Sequence, residues 1–341
     1  MPATDLAAED ELRLAVLLAG EVHAVRIDEG ALQLHALTAS GEARIALHPT
    51  GRPERYLMQL RERLDGHAMG SPGGYPVHLR RWTRSGHASP KSLQALLCLG
   101  EPEAVTAVAL SAELTDELAR RVWWAQPSAD IARYMLGHAE VRAGTMGPTL
   151  AQYLVEHLPF EEDADAALHS VTAIAAAGLL DETTRQRLWR AAQNRPHYLI
   201  GWLEHASQTL PPAPARELPP AIHEAAGPWA DVLRHWGSAQ GQGTLRALAL
   251  ALDKPPTHEA VYRVLDVTGT LFAPALDAAP PPGLAAEAAA LAVLARASRR
   301  DAEPILARTS AVGPLMRRHL EPVLAPLRAQ LRVLLGTGGA R

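Results

Sequence analysis

Residues 22–48 read VHAVRIDEGALQLHALTASGEARIALH, and this stretch decides the fold class. Apolar and polar residues alternate in three short runs, separated by Asp28-Glu29-Gly30 and by Ser40-Gly41. Alternation at period two is the mark of a strand with one covered face, and Asp, Gly and Ser between such runs supply turn chemistry. The stretch predicts a three-stranded antiparallel meander. His23, Val25 and Ile27 share one parity of its first strand, and Leu32, Leu34 and Ala36 share one parity of the next. A half-buried sheet follows.

Beyond the meander the period changes. After PTGRP, Tyr56, Leu57, Leu60 and Leu64 recur at helical intervals with Pro53 in the first turn, so a helix is predicted over about 53–65, placed to lie across the sheet. Period two returns briefly at Tyr75, Val77 and Leu79. From Ser89 onward helix signals dominate: Ser89-Pro90 and Ser128 read as N-caps, Thr115 precedes Asp116 and Glu117, and Gly100 reads as a stop. Further helices are predicted near 148–158, 165–178, 182–193, 197–206, 244–252, 257–272 and 284–299. A last amphipathic helix carries Leu320, Leu324, Leu327, Leu331 and Leu334 on or near one stripe. The predicted class is α+β: a small antiparallel N-terminal sheet with one helix, then a predominantly α-helical array. The domains read as 1–88 (α+β), 89–207 (helical array), a proline-rich linker at 208–220, and 221–335 (C-terminal helices).

Composition narrows the chemistry. A lone cysteine, Cys98, excludes an intramolecular disulfide and any thiolate cluster for zinc or iron–sulfur within the chain, which suits a reducing cytoplasm. Acidic residues at Asp5, Glu9, Asp10 and Glu11 stand where a signal peptide carries basic ones, and no long apolar run escapes charge or proline. A soluble, cytoplasmic protein without a membrane span is expected. The net charge of −4 hides two basic islands on an acidic body, Arg52–Lys91 and the stretch from Arg296 to the end.

Motifs for common catalysts are incomplete. His223-Glu224 and His258-Glu259 begin a metalloprotease pattern, but Gly227 and Tyr262 occupy the place of the second histidine. GSAQG at 237–241 puts its serine one place early for a nucleophile elbow, and GQG at 241–243 lacks the third glycine of a dinucleotide loop. The carboxylates of PFEEDAD lack the alternation and glycine of a calcium loop, and read as a solvated helix start. His23, His35 and His48 could meet across the meander as metal ligands, although strand neighbours of this kind usually pair by accident. No metal, cofactor or catalytic residue is assigned. Cys98, flanked by leucines, reads as a small apolar residue, with reactive sulfur chemistry as the alternative.

Two surfaces remain as candidates. In SPGGYPVHLRRWTR, residues 71–84, the strand parity opposite Tyr75, Val77 and Leu79 presents His78, Arg80, Trp82 and Arg84. Arginine beside an aromatic grips phosphate and stacks on a base, so these four form a nucleic-acid or anion-binding candidate; an edge strand guarded by charge is the plainer reading. Trp123-Trp124 cannot both bury on one helix face, so they are candidates for partner binding as well as for packing.

Five segments carry a family resemblance: GEARIALHPTGRPERYL, SPGGYPVHLRRWTR, LTDELARRVWWAQP, VRAGTMGPTLAQYLVEHLPFEED and QRLWRAAQNRPHYLIGWL. Together they resemble the sulfur reduction protein DsrS, encoded with the reverse-acting dissimilatory sulfite reductase of sulfur-oxidising bacteria. The resemblance spans about residues 10 to 207. It implies a cytoplasmic accessory protein of sulfur oxidation and transfers no catalytic residue. The favoured expectation is a non-catalytic interaction protein whose partners are proteins of that pathway. A post-transcriptional regulator that binds RNA through residues 78–84, helped by Arg317, Arg318, Arg328 and Arg332, is second, and a sulfur carrier using Cys98 is third.

Overall fold

The computed structural model describes residues 6–70, 90–224, 227–274 and 285–337. Helix α1 (Ala8–Leu18) precedes strands β1 (Val22–Asp28), β2 (Gln33–Thr38) and β3 (Gly41–Ala46), which form one antiparallel sheet in the order β1-β2-β3. The expected meander is present. Helix α2 (Pro53–Met69) follows, then α3 (Pro90–Leu96), α4 (Pro102–Ala109), α5 (Asp116–Ala125), α6 (Ala129–Leu136), α7 (Ala139–Ala143) and α8 (Met146–His157). The remainder is helical: α9 (Ala164–Ala177), α10 (Glu182–Ala192), α11 (Tyr198–His205), α12 (Pro220–Glu224), α13 (Pro228–Gly237), α14 (Ala239–Asp253), α15 (His258–Phe272), α16 (Ala285–Leu294), α17 (Glu303–Leu306) and α18 (Gly313–Leu334). The class is α+β. Among the described residues no helix is long and apolar enough to cross a membrane.

Contacts divide the chain into two compact units, Met1–Tyr153 and Leu154–Arg341. In the first, Val25 pairs with Ala36, Ile27 with Leu34, and Leu34 with Ile45, so one sheet face presents an apolar patch. Leu14 of α1 and Tyr56, Leu57, Leu60 and Leu64 of α2 cover it, which is the arrangement their helical spacing predicts. Each large apolar side chain removed from water there contributes about 1.5–3 kcal/mol before the entropy of ordering is charged against it.

The opposite sheet face departs from the half-solvated expectation. Ala24 is fully buried and His35 nearly so, because α5 packs against β1 on that side. Arg26 fills this interface: its guanidinium lies 5.0 Å from the Trp124 ring centre, and Nη1 donates to the Trp124 carbonyl at 3.3 Å. Glu42 holds the polar end of the same face, accepting from His35 Nδ1 at 3.1 Å with Arg44 and Arg26 at 3.4 and 3.6 Å. The bond from His35, reinforced by the two arginines against the cost of desolvation, lowers the Glu42 carboxyl below its ordinary value.

β1 is an edge strand, and edges need cover. The turn after α3 provides it: Val25 N–H donates to the Leu97 carbonyl at 2.8 Å. Gly100, expected as a helix stop, ends this turn at φ +68°, where a Cβ would also stand 2.9 Å from Ile27 Cδ1. Only glycine meets both conditions without strain. The Ser128 cap is present, with Ile131 N–H donating to its Oγ at 3.3 Å, and Leu118 N–H donates to Thr115 Oγ1 at 3.2 Å ahead of Asp116, whereas the cap expected at Ser89 lies outside the described residues.

In the second unit α9 and α11 pack most extensively, and the ion pair of Arg263 (α15) with Glu204 (α11) crosses beside them with Thr172 Oγ1 accepting from Arg263 at 2.6 Å. The proline-rich segment is irregular, as its prolines require, and lies within this unit. Ala213 and Arg216 N–H groups donate to the Ala239 and Gly237 carbonyls, each at 2.9 Å. The Arg216 guanidinium donates to the Val333 and Leu334 carbonyls at the end of α18 and pairs with Glu287 at 2.9 Å. All five leucines of the α18 stripe are buried.

Candidate functional site

In the second unit the last turn of α8, the 3-10 turn Leu158–Phe160, α10 and the start of α11 enclose an open groove of about 450 Å³. Local sequence builds each wall. Pro159 tightens the chain after α8 into the 3-10 turn. Asp181 starts α10 by accepting from Thr184 N–H at 2.8 Å and from its hydroxyl at 3.1 Å. Leu188 and Ala191, three residues apart on α10, share the face that lines the groove. Pro196 then closes the connection, and α11 opens with Tyr198 facing the same space.

Val155, Leu158, Leu188 and Tyr198 are buried and form an apolar floor, whereas Glu156, Pro159, Arg187, Ala191, Asn194 and Arg195 are exposed and form the rim. Arg195 is held in place: Nη1 donates to Tyr198 Oη at 2.7 Å and to the Leu158 carbonyl at 3.4 Å, with the guanidinium 5.8 Å from the Tyr198 ring centre. His197, beside it, is pushed down to about 4 by burial and by the Arg195 charge, so its imidazole is neutral at physiological pH. A buried apolar floor with a polar, cationic rim is the anatomy of a site that holds an apolar group and orients it by charge.

No family model, curated protein or solved structure matches the chain.

His78, Arg80, Trp82 and Arg84 lie outside the described residues. Trp123 and Trp124 are both half-buried. Trp123 meets Tyr153 edge to face with ring centres 4.7 Å apart, and Trp124 lies under Arg26. Of the C-terminal arginines, Arg328 pairs with Glu321 and lies 3.5 Å from Asp253, and Arg317 donates to the Pro255 carbonyl at 3.3 Å; Arg318 and Arg332 are exposed.

The three histidines of the sheet region do not gather. His35 bonds Glu42, His48 bonds Asp10, and His23 approaches Glu21 at 3.9 Å; no group of three potential metal ligands occurs among the described residues. His48 belongs instead to a network missed in the sequence. Asp10, buried on α1, accepts from the Tyr56 hydroxyl, from His48 N–H at 2.6 Å and from His48 Nδ1 at 2.9 Å. Burial pushes the Asp10 carboxyl up, but the bonds from Tyr56 and His48 outweigh it and hold the group below its ordinary value. Tyr56 is shifted upward by burial and by Asp10, so it stays a protonated donor. A wider depression of about 730 Å³ lies at the start of α2, lined by Thr50, Gly51, Arg52, Glu54, Arg55 and Tyr56.

Cys98 sits in the turn after α3, its thiol directed to the Val22 and Gln94 carbonyls at 3.5 and 3.6 Å. Burial pushes this thiol up to about 11, against a small opposing effect of Arg121. At pH 7 about one thiol in ten thousand is ionised, and the thiolate is the nucleophile. Iodoacetamide at pH 7.5 is therefore expected to alkylate the folded protein at least about 100-fold more slowly than a free cysteine. Intact-mass spectrometry reads this directly, since no other cysteine is present; alkylation as fast as free cysteine would contradict the upward shift of this half-buried thiol.

Proposed function

We propose that the protein is a non-catalytic accessory protein of bacterial sulfur oxidation that acts by holding a protein partner in the α8–α10–α11 groove. The observation that carries this reading is the origin of the groove walls. Two of the segments that resemble DsrS, residues 141–163 and 186–203, supply Val155–Pro159 on one side and Arg187–Tyr198 on the other. A chain built to dock a partner needs a preformed apolar floor ringed by polar groups, and needs no proton-transfer or nucleophilic constellation at that place. The partners proposed are proteins of the dissimilatory sulfite reductase pathway.

The experiment is affinity purification of the tagged full chain from cells oxidising sulfur, with nuclease treatment, in wild-type and Ala191→Glu forms. Ala191 is exposed on a helix, so glutamate there is compatible with folding while placing charge over the floor. Pathway proteins are expected to survive nuclease with the wild type and to fall at least about 10-fold with the variant, the equivalent of about 1.4 kcal/mol. Loss of those proteins on nuclease treatment, with a specific transcript retained in untreated eluates, would replace this reading by the RNA-binding one.

A further inference from the structure

We infer that the occupant of the groove is an apolar peptide segment that carries a carboxylate, seated against Arg195 and Arg187. This rests on the reading of the groove as a partner site and adds the chemistry by which the partner is chosen.

The size and shape set the first half of the argument. A space of about 450 Å³ accommodates a drug-sized portion of a ligand, and it is open along its rim, not closed over like a cofactor cavity. Apolar surface continues past it, since Phe160, next to Pro159, is 77% exposed. An extended segment reaching beyond the groove covers both; a small molecule confined to the floor would leave that ring in water. The buried Val155, Leu158 and Leu188 side chains demand apolar side chains from whatever displaces water there.

Charge sets the second half. Arg195 spends Nη1 on Tyr198 and Leu158, and its Nε and Nη2 make no bond among the described residues. Arg187 makes no hydrogen bond or ion pair among them; its charge is the last of the influences that lower the Asp181 carboxyl. Unpaired surface arginines occur elsewhere on this unit. What distinguishes these two is that they border a buried apolar floor, where a charge meeting them is partly shielded from water and its attraction strengthened. Against them stands Glu156, the one carboxylate of the lining, which already has a partner. Neutral His197 adds nothing to the balance. Arginine presents a planar fork matched to a carboxylate, and here the anchoring of one arm by Tyr198 fixes the fork before any ligand arrives. Preorganisation of this kind converts charge into selectivity.

The test uses two fluorescein-labelled 11-residue peptide libraries, with Ala, Val, Leu and Phe randomised around a fixed central Glu or, in the second library, Gln. Anisotropy is measured against the full chain in wild-type, Arg195→Met, Arg187→Met and Ala191→Glu forms. The wild type is expected to bind the Glu library at least about 10-fold more tightly than the Gln library. Arg195→Met is expected to erase that preference, and Arg187→Met to reduce it. Added salt should narrow the gap. Equal binding of the two libraries, with both abolished by Ala191→Glu, would overturn the inference and leave the groove as a partner site. Absence of binding by either library would overturn the inference too, and the nuclease-treated purification would then decide separately whether the partner reading stands.

Discussion

Gly201→Val is expected to destabilise the second unit by about 3 kcal/mol, the upper part of the usual range for overpacking. Gly201 lies on α11 where it crosses α9, and a Cβ there would stand 2.8 Å from both Thr172 Cα and Thr172 N, and 3.0 Å from the Val171 carbonyl carbon. These are backbone atoms of a helix and cannot swing aside, so the two helices must part. Parting them also pulls on Thr172 and Glu204, which share Arg263. Removing a glycine from a helix interior favours the variant by up to about 1 kcal/mol, which the clash exceeds. For a unit of this size the loss corresponds to a fall of about 6–12 °C in melting temperature. Trp189 and Trp202, 6.0 Å apart in this region, report the transition by fluorescence. An unchanged midpoint would mean that α9 and α11 do not approach so closely.

The second large effect belongs to Asp10. Asp10→Ala leaves the buried Tyr56 hydroxyl without its acceptor and takes from the His48 N–H the nearer of its bonds, and is expected to cost the first unit about 3 kcal/mol. The pH dependence has a definite sign. The carboxyl of Asp10 in the folded state lies below its ordinary value of 3.8, so the folded state holds its proton less tightly than the unfolded chain. Its contribution is thus complete above that ordinary value and is lost as pH falls through the lower folded one. Glu42 and Asp116 are lowered likewise, and Glu117 is lowered to about 2 chiefly by its bond from Arg120, so acid sensitivity does not vanish in the variant. The expected result is a smaller loss of urea stability between pH 5 and about pH 2 in Asp10→Ala than in the wild type. Parallel pH profiles would show that Asp10 is not held as a buried acceptor.

The parts of the fold that were legible in the sequence are those decided locally. Alternation around Val25 and Leu34, the caps Thr115 and Ser128, and the leucine stripe of α18 each depend on residues within a few positions. The parts that were not legible depend on distant partners. Helix α8 starts at Met146, ahead of the predicted 148, where Asp116 reaches across 29 residues to accept from Thr145 N–H at 2.9 Å and from Met146 N–H at 3.0 Å. Helix α14 was expected from 244, yet begins at Ala239 and runs through Gly241 and Gly243. Read alone, those glycines suggest a loop. In the fold a Cβ on Gly243 would lie 2.2 Å from the Pro211 carbonyl oxygen, so they let the proline-rich segment lie against the helix.

The candidate groove was hidden for the same reason. Leu188 and Ala191 on one face of α10 are visible in the sequence, but nothing local says that Val155 and Leu158 come to meet them. Likewise the burial of Asp10 follows from the convergence of α1, α2 and the residues after β3, and an acidic residue near a helix start ordinarily reads as solvated.

The most direct test of the proposed function places the photoreactive residue p-benzoylphenylalanine at position 191 of the full chain and irradiates cells that are oxidising sulfur. A covalent cross-link at this position to a protein of the sulfite reductase pathway is expected, absent when the photoreactive residue is placed instead at exposed Arg318 on α18. Cross-linking of pathway proteins at position 318 and not at 191, or of RNA alone at 191, would contradict the proposed function.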